Sequence, residues 1–379
     1  MKAALAVLAL IIVLAAAAFL PVQPYQDFQV IYHADLGLLR GISLYDHAGQ
    51  VAMIAQLASV PPDQVFVLPF PYPPWYALST LWLARMPIDL AARAWLALNL
   101  AMLLASVTLL TAGESPLRRA LSFLGAVLWL PGLGSLLVGQ YGFPVLLGAA
   151  LMIYALQKEN ALLVALAGAL LTFKPHLGGL VLLLVALMLA IRHDRFSWNT
   201  VLALLLAGAT LFAAGFLASP GWPAEYFSSL TGFKDVSQCG QCVSPAMALA
   251  GLVGGGFGLA VWIAAGIAIV LCIWLVIRWR RLSAAPDGLV GVGILLTLLV
   301  SPYLQNYDYL LLLAPFIQLA RGRQSPTAWI ALGLAYVLPF VCLALLGTAG
   351  NASLIVSASI LFAVTAVGLR DRTSQPLVN

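Results

Sequence analysis

The side chains best suited to chemistry lie in short polar connections between long apolar runs. Asp27 begins the first such connection, a few residues after an apolar run ends. A carboxylate at a membrane interface is partly desolvated, which raises its basicity, so Asp27 is a candidate general base. Asp is also a preferred N-cap residue, and the spacing favours a helix-capping role for Asp27 equally.

A lysine and a histidine flank Pro175 between two further apolar runs. An uncompensated charge is expensive at such a position, which favours a functional role. Lys174 and His176, on a turn stiffened by proline, are suited to holding a phosphate through charge and hydrogen bonds. Arg40 is another candidate contact for a phosphate or a lipid headgroup. In the alternative interpretation, Lys174 extends its ammonium group to the membrane interface.

A polar turn near residue 305 contains Asn306, Tyr307 and Asp308, which are suited to binding sugar hydroxyls. Alternatively, its tyrosines belong to an aromatic belt and Asp308 caps the next helix. Gln140, at a glycine-rich turn, is a weaker candidate. The outer connections contain no evident cluster of divalent-metal ligands. We therefore expect no metal and no other cofactor, and only a convergence of Asp27 with Asp308 would reopen the question.

Two cysteines form a CxxC in another polar connection. Cys239 and Cys242 are separated by Gly240 and Gln241. The sequence has no second CxxC and no pair of histidines nearby, as a zinc site would need. We therefore favour a local disulfide, formed in an oxidising compartment, over half of a metal site.

The elements that position these residues are membrane helices. Of 379 residues, 63% are hydrophobic and 8% are charged, which excludes an ordinary water-soluble surface. A helix needs roughly 20 mostly apolar residues to cross the hydrocarbon. We predict one all-α polytopic domain over residues 1–379 with about 12 to 13 transmembrane helices, the first being a retained helix at 3–21. Further apolar runs lie near 72–86, 94–112, 120–138, 142–156, 161–173, 177–191, 199–218, 246–277, 288–302, 309–320, 327–346 and 352–369.

The cationic residues indicate which connections lie in the cytoplasm. They cluster at every second connection, which is a topological pattern and not a nucleic-acid-binding surface. With the N-terminal lysine, these clusters hold 13 of the 18 Lys and Arg residues: Lys2, Arg118, Arg119, Lys158, Arg192, Arg195, Arg278, Arg280, Arg281, Arg321, Arg323, Arg370 and Arg372. The candidate residues fall on the intervening, outer connections, and the N-terminus is predicted to be cytoplasmic.

Two outer loops are sizeable, at about 22–71 and about 219–245. Near-helical apolar spacing within the first predicts an amphipathic helix on the membrane surface, with Asp35 solvated. Thirteen crossings would place the C-terminal arginines outside, against the charge rule. We therefore expect that the run at 72–86 enters the membrane without crossing, or that the short run at 142–156 is miscounted. The glycines at 254–256 predict close helix packing or a break.

Several short motifs recur in an order that is typical of a known family. They are Asp27-Phe28 with Tyr32, Gly41 through Leu44-Tyr45, Tyr72-Pro73-Pro74, Gly139-Gln140, Lys174-Pro175, and Ser301-Pro302 with Asn306-Tyr307-Asp308. This order resembles the polyprenyl-phosphate-sugar-dependent glycosyltransferases of the C superfamily (GT-C). It is most similar to family 87, the mannosyltransferases similar to the mycobacterial phosphatidylinositol mannoside enzyme. Many relatives carry a histidine where this chain has Asn306-Tyr307-Asp308.

The resemblance implies a GT-C-like helical bundle and an inverting transferase. Such an enzyme would move mannose or another hexose from a polyprenyl-phosphate donor to a hydroxyl of a lipid or glycan acceptor, on the extracytoplasmic face of a bacterial plasma membrane. Asp27 would be the catalytic base. Lys174, His176 and Arg40 would contact the donor phosphate, and the sugar and acceptor would be lined by Tyr32, Tyr72, Gln140, Asn306, Tyr307 and Asp308.

A membrane transporter or a flippase of a lipid-linked or polar substrate is the alternative hypothesis. Intramembrane charges also mark substrate pathways, but transporters place them near the membrane midplane between inverted repeats. Here the charges lie at the ends of apolar runs and no repeat is evident. This pattern favours the enzyme.

Overall fold

The computed structural model describes residues 26–236, 242–322 and 324–371, and this part of the chain is helical and contains no strand. The predicted first span at 3–21 lies outside the described residues. The α-helices are α1 Gln26–Leu39, α2 His47–Ala58, α3 Pro74–Thr80, α4 Ile88–Leu110, α5 Pro116–Leu128, α6 Leu130–Leu137, α7 Phe143–Gln157, α8 Ala161–Leu171, α9 Pro175–Arg192, α10 Arg195–Gly215, α11 Trp222–Val236, α12 Pro245–Leu252, α13 Phe257–Ser283, α14 Pro286–Val300, α15 Leu313–Arg321, α16 Pro326–Leu346 and α17 Ser353–Asp371. Short 3₁₀ helices lie at Pro62–Gln64, Leu83–Arg85, Asn306–Leu312 and Gly347–Ala352.

The prediction of an all-α polytopic membrane protein is confirmed. Within the described ranges, five helical segments are long and apolar enough to cross a membrane, and the bent pair α5–α6 makes a sixth if it is one span. This is fewer than the predicted 12 to 13, in part because several apolar runs form shorter helices. At 1.5 Å per residue, the 15 residues of α7 extend about 22 Å, less than the ~30 Å of hydrocarbon.

Several predicted runs are divided. The run at 72–86 forms α3 and the 3₁₀ helix Leu83–Arg85, and these pieces are too short to cross. The glycines at 254–256 separate α12 from α13, so they form a break. The sequence analysis assigned no secondary structure to the second outer loop, and α11 occupies much of it. Its sequence alternates aromatic and polar residues without a long apolar run, so hydropathy did not reveal it.

Two apolar helices form the centre of the bundle. The sides of α7 are buried in almost every direction, as expected for a helix that is apolar all round. It contacts α4, α8 and α14, and α14 in turn contacts α9. By contrast, α10 and α13 bury little of their surface, so their large exposed apolar side chains are placed to face lipid. The central helices therefore hold the ends of their neighbours in fixed positions.

The first outer loop packs into the protein. In α1, Phe28, Ile31 and Tyr32 are buried in a cluster with residues of α3 and the 3₁₀ helix Leu83–Arg85. Asp35, predicted to be solvated, is fully buried. The predicted helix is present, but protein covers much of its apolar side, and the spacing of apolar residues does not tell whether lipid or protein covers them.

Two adjacent glycines of α9 provide a test of how closely α9 packs against the end of α8. A methyl group on Gly178 would overlap the backbone oxygen of Leu171 at the end of α8, whereas one on Gly179 would meet nothing within 4 Å. We expect Gly178→Ala to lower the free energy of unfolding by about 1–3 kcal/mol, because the helices must separate. Gly179→Ala is the matched control and should be neutral or slightly stabilising. Thermal unfolding in detergent measures both, and equal melting temperatures would contradict the close contact.

Candidate active site

Four segments that are distant in the sequence meet at one end of the bundle. Asp27 lies in the first turn of α1, and Gln140 lies in the turn between α6 and α7. Lys174 immediately precedes α9, and Asp308 belongs to the 3₁₀ helix Asn306–Leu312. We call these four residues the ion-pair cluster.

The centre of the cluster is a buried salt bridge. Lys174 Nζ lies 2.8 Å from Asp308 Oδ1, and the two side chains are 2% and 1% exposed. Lys174 Nζ also donates to Gln140 Oε1 at 3.3 Å. The rings of Tyr141 and Tyr307 lie 5.0 and 5.1 Å from the ammonium group, within the range of cation–π attraction. The charge of Lys174 is therefore compensated inside the protein, and the interpretation that it extends to the membrane interface is wrong.

Asp308 has two roles, and the sequence analysis offered only one of them, helix capping, as an alternative to sugar binding. One carboxylate oxygen, Oδ1, binds Lys174. The other, Oδ2, accepts a hydrogen bond from the backbone N–H of Gln305 at 2.9 Å, as part of a capping box. The same side chain thus fixes the 3₁₀ helix and holds the ammonium group.

Asp27 is half-buried and lies beside the salt bridge. Burial raises the pKa of its carboxyl group above the usual value, and the negative charge of Asp308 acts in the same direction. The side chain of Gln140 and the charge of Lys174 oppose these effects and lower the pKa. The net effect is a raised pKa, so this carboxylate is a stronger base than one in water.

A tight turn sets the distance between Asp27 and Gln140. Gly139 has φ +67°, and a Cβ there would lie 2.9 Å from Cβ of Phe28, the neighbour of Asp27. Trp95 Nε1 donates to the carbonyl of Gly139 at 2.8 Å, and Asn99 Nδ2 donates to that of Gln140 at 3.1 Å. The sequence analysis missed both α4 residues, although Asn99 is a polar residue within an apolar run.

The remaining predicted site residues divide into an exposed group and a buried group. His176 and Asn306 are exposed, and Tyr307 is partly exposed. The ring of His176 lies edge-on to that of Tyr303, at 6.1 Å between centroids. Tyr72 is buried, with its ring 4.6 Å from that of Tyr141. Exposed groups can contact a substrate, while the buried ones support them.

Two predicted residues lie elsewhere. Arg40 is exposed just beyond the end of α1, 13 residues from Asp27 and hence roughly 20 Å along the helix. Tyr32 is buried and donates its hydroxyl proton to the carbonyl of Met86 at 2.8 Å, so it braces α1. The predicted disulfide stays a prediction, because Cys239 lies outside the described residues.

Asp27 and Asp308 do converge, with Lys174 beside both. Over the ranges that the structure describes, no group of three or more His, Cys, Asp or Glu side chains is arranged to hold a metal ion. The positive charge found with the two carboxylates is the lysine ammonium group.

The site lies far from the predicted cytoplasmic connections. Lys174 and Arg192 stand at the two ends of α9, whose 18 residues extend about 27 Å. Asp308 and Arg321 are likewise separated by the 3₁₀ helix and α15. Each basic connection on these elements is therefore at the opposite end of the bundle from the salt bridge.

The model of glycosyltransferase family 87 matches residues 70–302, more than half of the chain. The chain belongs to glycosyltransferase family 87. No curated protein matches it. The matched range contains Gln140 and Lys174 but neither Asp27 nor Asp308. In this family 87 protein, both carboxylates therefore come from outside the matched range and reach the matched residues through the fold.

Asp35 is a second buried carboxyl group on α1 that the sequence analysis placed in solvent. Neither of its oxygens has a hydrogen-bond partner among the described residues. Burial raises the pKa of Asp35 well above its usual value. Thr80 opposes this shift in part, but its hydroxyl is directed at the backbone carbonyls of Tyr76 and Ala77. Asp35 is therefore protonated over a range of pH in which an exposed aspartate is charged.

Removing one member of the salt bridge should cost more stability than removing both. In Lys174→Met, Asp308 keeps a buried charge without a partner, and we expect a loss of about 3–5 kcal/mol in the free energy of unfolding. The double variant Lys174→Met/Asp308→Leu should recover part of this loss. Lys158→Met, at an exposed lysine, is the control. Thermal unfolding measures all four proteins, and a double variant no more stable than Lys174→Met contradicts the pairing.

Asp35→Asn should stabilise the protein. Because the pKa of Asp35 is raised in the folded state, folding binds a proton above the usual pKa, and the free energy of unfolding falls as pH rises through that interval. Asn has the same shape and no charge. The free energy of unfolding of Asp35→Asn should therefore exceed that of the unchanged protein by an amount that grows between pH 4 and 7. Asp46→Asn is the control at an exposed cap, whose oxygen accepts from Gly49 N. A melting temperature for Asp35→Asn that is below that of the unchanged protein at pH 7 would exclude a buried neutral acid.

Proposed function

We propose that this protein is an inverting glycosyltransferase that uses a polyprenyl-phosphate sugar as its donor. It transfers mannose or another hexose to a hydroxyl group of a lipid or glycan acceptor on the extracytoplasmic face of the membrane. Family 87 membership supports glycosyl transfer. The observation that supports the rest of the proposal is the half-buried Asp27 beside the buried Lys174–Asp308 pair.

The reaction needs a base for the acceptor hydroxyl, and Asp27 is suited to that role. The acceptor oxygen bonds to the anomeric carbon while the bond from that carbon to the phosphate oxygen breaks. The hydroxyl proton passes to Asp27, and the bonding electrons leave with the phosphate. Direct displacement by one nucleophile inverts the anomeric configuration. Asp27 is accessible, and burial raises its pKa towards neutrality, which suits a general base.

The leaving phosphate needs positive charge and hydrogen-bond donors, which three features of the site supply. Lys174 has three N–H groups, of which Asp308 and Gln140 accept two, leaving one for a phosphate oxygen. The helices α7 and α9 both begin at the site, and helix N-termini favour anions. His176 is exposed, and its imidazole N–H can donate a hydrogen bond to a phosphate oxygen. We assign His176 the outer contact with the phosphate and Lys174 the inner one, without a metal ion.

Asn306 and Tyr307 are the proposed contacts for the sugar or acceptor, since both are accessible. Tyr72 and Gln140 are buried beneath them, and we assign them to support of the site. Arg40 is not assigned to the phosphate, because it lies at the far end of α1.

The proposed side of the membrane follows from the charge distribution. The site and the basic residues Arg192 and Arg321 lie at opposite ends of the bundle. Basic connections are retained in the cytoplasm, which favours an extracytoplasmic site in a bacterial plasma membrane. A donor with one lipid-linked phosphate is consistent with the single ammonium group of the cluster.

Replacing the proposed base should abolish sugar transfer without unfolding the protein. We expect Asp27→Asn to lower kcat with radiolabelled polyprenyl-phosphate mannose by about 10²–10⁴-fold, as for a lost general base. Asp35→Asn is the matched control: the same substitution, on the same helix, at a carboxyl group outside the ion-pair cluster, and it should retain activity. Full activity in Asp27→Asn would falsify the assignment of the base.

The pH profile of kcat/KM should show the raised pKa of Asp27. The base must be ionised, so the rate falls as pH falls through its pKa. Burial raises that pKa, so this acidic limb of the profile should lie above the usual 3.8. The residual activity of Asp27→Asn should lack the limb. Circular dichroism at each pH separates this effect from unfolding. An acidic limb at or below 3.8, or one retained in Asp27→Asn, contradicts the role.

A further inference from the structure

A cavity lies at the opposite end of the bundle from the ion-pair cluster. Its volume is about 510 Å³, within the ~300–1,000 Å³ typical of small-molecule sites. Charged side chains lie along one part of its lining, namely Glu114, Arg118 and Arg321. Most of the remaining wall is apolar, formed by Leu121, Ala126, Trp129, Leu313, Phe316 and Ile317 among others.

The cavity and the candidate active site are separate. Asn99 of α4 contacts the turn at Gln140, whereas Thr111, just beyond α4, lines the cavity. These two residues are 12 positions apart, or roughly 18 Å along a helix. Arg321, at the far end of α15 from Asp308, also lines the cavity. A ligand here would therefore lie near the basic connections.

The cavity is built by a sharp bend in the chain. Helices α5 and α6 meet at 64° around Trp129, and a Cβ on Gly132 would overlap the carbonyl oxygen of Ala126. Tyr336 closes another side, with its ring 6.4 Å from that of Trp129 and its hydroxyl donating to the carbonyl of Gly125 at 2.9 Å. The indole Nε1 of Trp129 is buried and has no hydrogen-bond partner among the described residues. Trp129, which lines the cavity, thus carries an unsatisfied donor.

The charged part of the lining has an excess of one positive charge. Glu114 accepts from Arg118 at 3.1 Å and from Arg321 at 3.3 Å. Arg321 also donates to the carbonyls of Leu110 and Ala112, so it is held in place by the end of α4. The side chain of Arg118 is 71% exposed and can turn towards a ligand. One carboxylate and two guanidinium groups fit a ligand with a single negative charge.

We propose that this cavity binds an anionic phospholipid. The phosphodiester group binds Arg118, and an acyl chain fills the apolar space in front of Trp129 and Phe316. The charge and the apolar lining together support the assignment. A phosphodiester has one negative charge, and the apolar walls have few hydrogen-bonding groups to replace the water around a fully hydrated anion. The bound lipid braces the bend between α5 and α6.

Native mass spectrometry of the full-length protein, released from micelles with added lipid, tests this directly. Phosphatidylglycerol should be retained about tenfold more strongly than phosphatidylcholine with the same acyl chains. Arg118→Gln should remove this preference. Arg195→Gln, at another exposed arginine of a basic connection, should leave it unchanged.

A second pair of variants tests the apolar chamber. Gly125 lines the cavity, and a Cβ there meets nothing within 4 Å, so Gly125→Leu fills the space and should abolish retention of phosphatidylglycerol. Gly208→Leu, at an exposed glycine of α10 with the same free surroundings, should bind as before. Thermal unfolding verifies that each variant is folded.

Three results would overturn the proposal. The first is equal retention of the two lipids by the unchanged protein. The second is full retention of phosphatidylglycerol by folded Gly125→Leu or Arg118→Gln. The third is displacement of the lipid by inorganic phosphate at equal concentration, which would show that the charged rim binds a free anion without help from the chamber. None of these measurements depends on sugar transfer.

Discussion

The buried salt bridge between Lys174 and Asp308 is the constraint on which the candidate site depends. Moving two charges out of water costs several kcal/mol for each ion, and their attraction offsets this only when the remaining hydrogen-bonding groups are satisfied. Here the offset comes from the amide of Gln140, the backbone of Gln305 and two tyrosine rings. The starts of α7 and α9 and the 3₁₀ helix at Asn306–Leu312 must therefore meet at one point, and the apolar contacts of the central helices hold them there.

This arrangement gives the site a charge balance suited to phosphate chemistry. Asp308 neutralises Lys174 while no substrate is bound, so the ammonium group can remain charged away from water. In the proposed reaction, a phosphate that enters beside them adds negative charge near Asp27 and raises the basicity of its carboxylate. The N-terminal ends of two helices stabilise that phosphate as its bond to the sugar breaks. The binding of the leaving group and the strength of the base are thus coupled through one buried lysine.

The sequence predicted the residues of the candidate site better than the contacts that hold them. Asp27, Lys174 and Asp308 stand out because charged residues beside apolar runs are rare, and their spacing at helix ends is visible in the sequence. Their pairing is a tertiary contact between positions 134 residues apart, which spacing cannot reveal. The burial of Asp35 and the inward packing of α1 were missed because an amphipathic pattern looks the same against lipid and against protein. Helix α11 was missed because it lacks a long apolar run.

The central claim is that Asp27 and Lys174 act on the same lipid-linked phosphate sugar. A cryo-electron microscopy structure with bound polyprenyl phosphate tests this most directly. We predict phosphate density beside His176, with Lys174 Nζ within hydrogen-bond distance of a phosphate oxygen and the carboxylate of Asp27 facing the position of the anomeric carbon. Density for the phosphate at the Arg118 end of the bundle, with Asp27 facing no part of the lipid, would contradict the account.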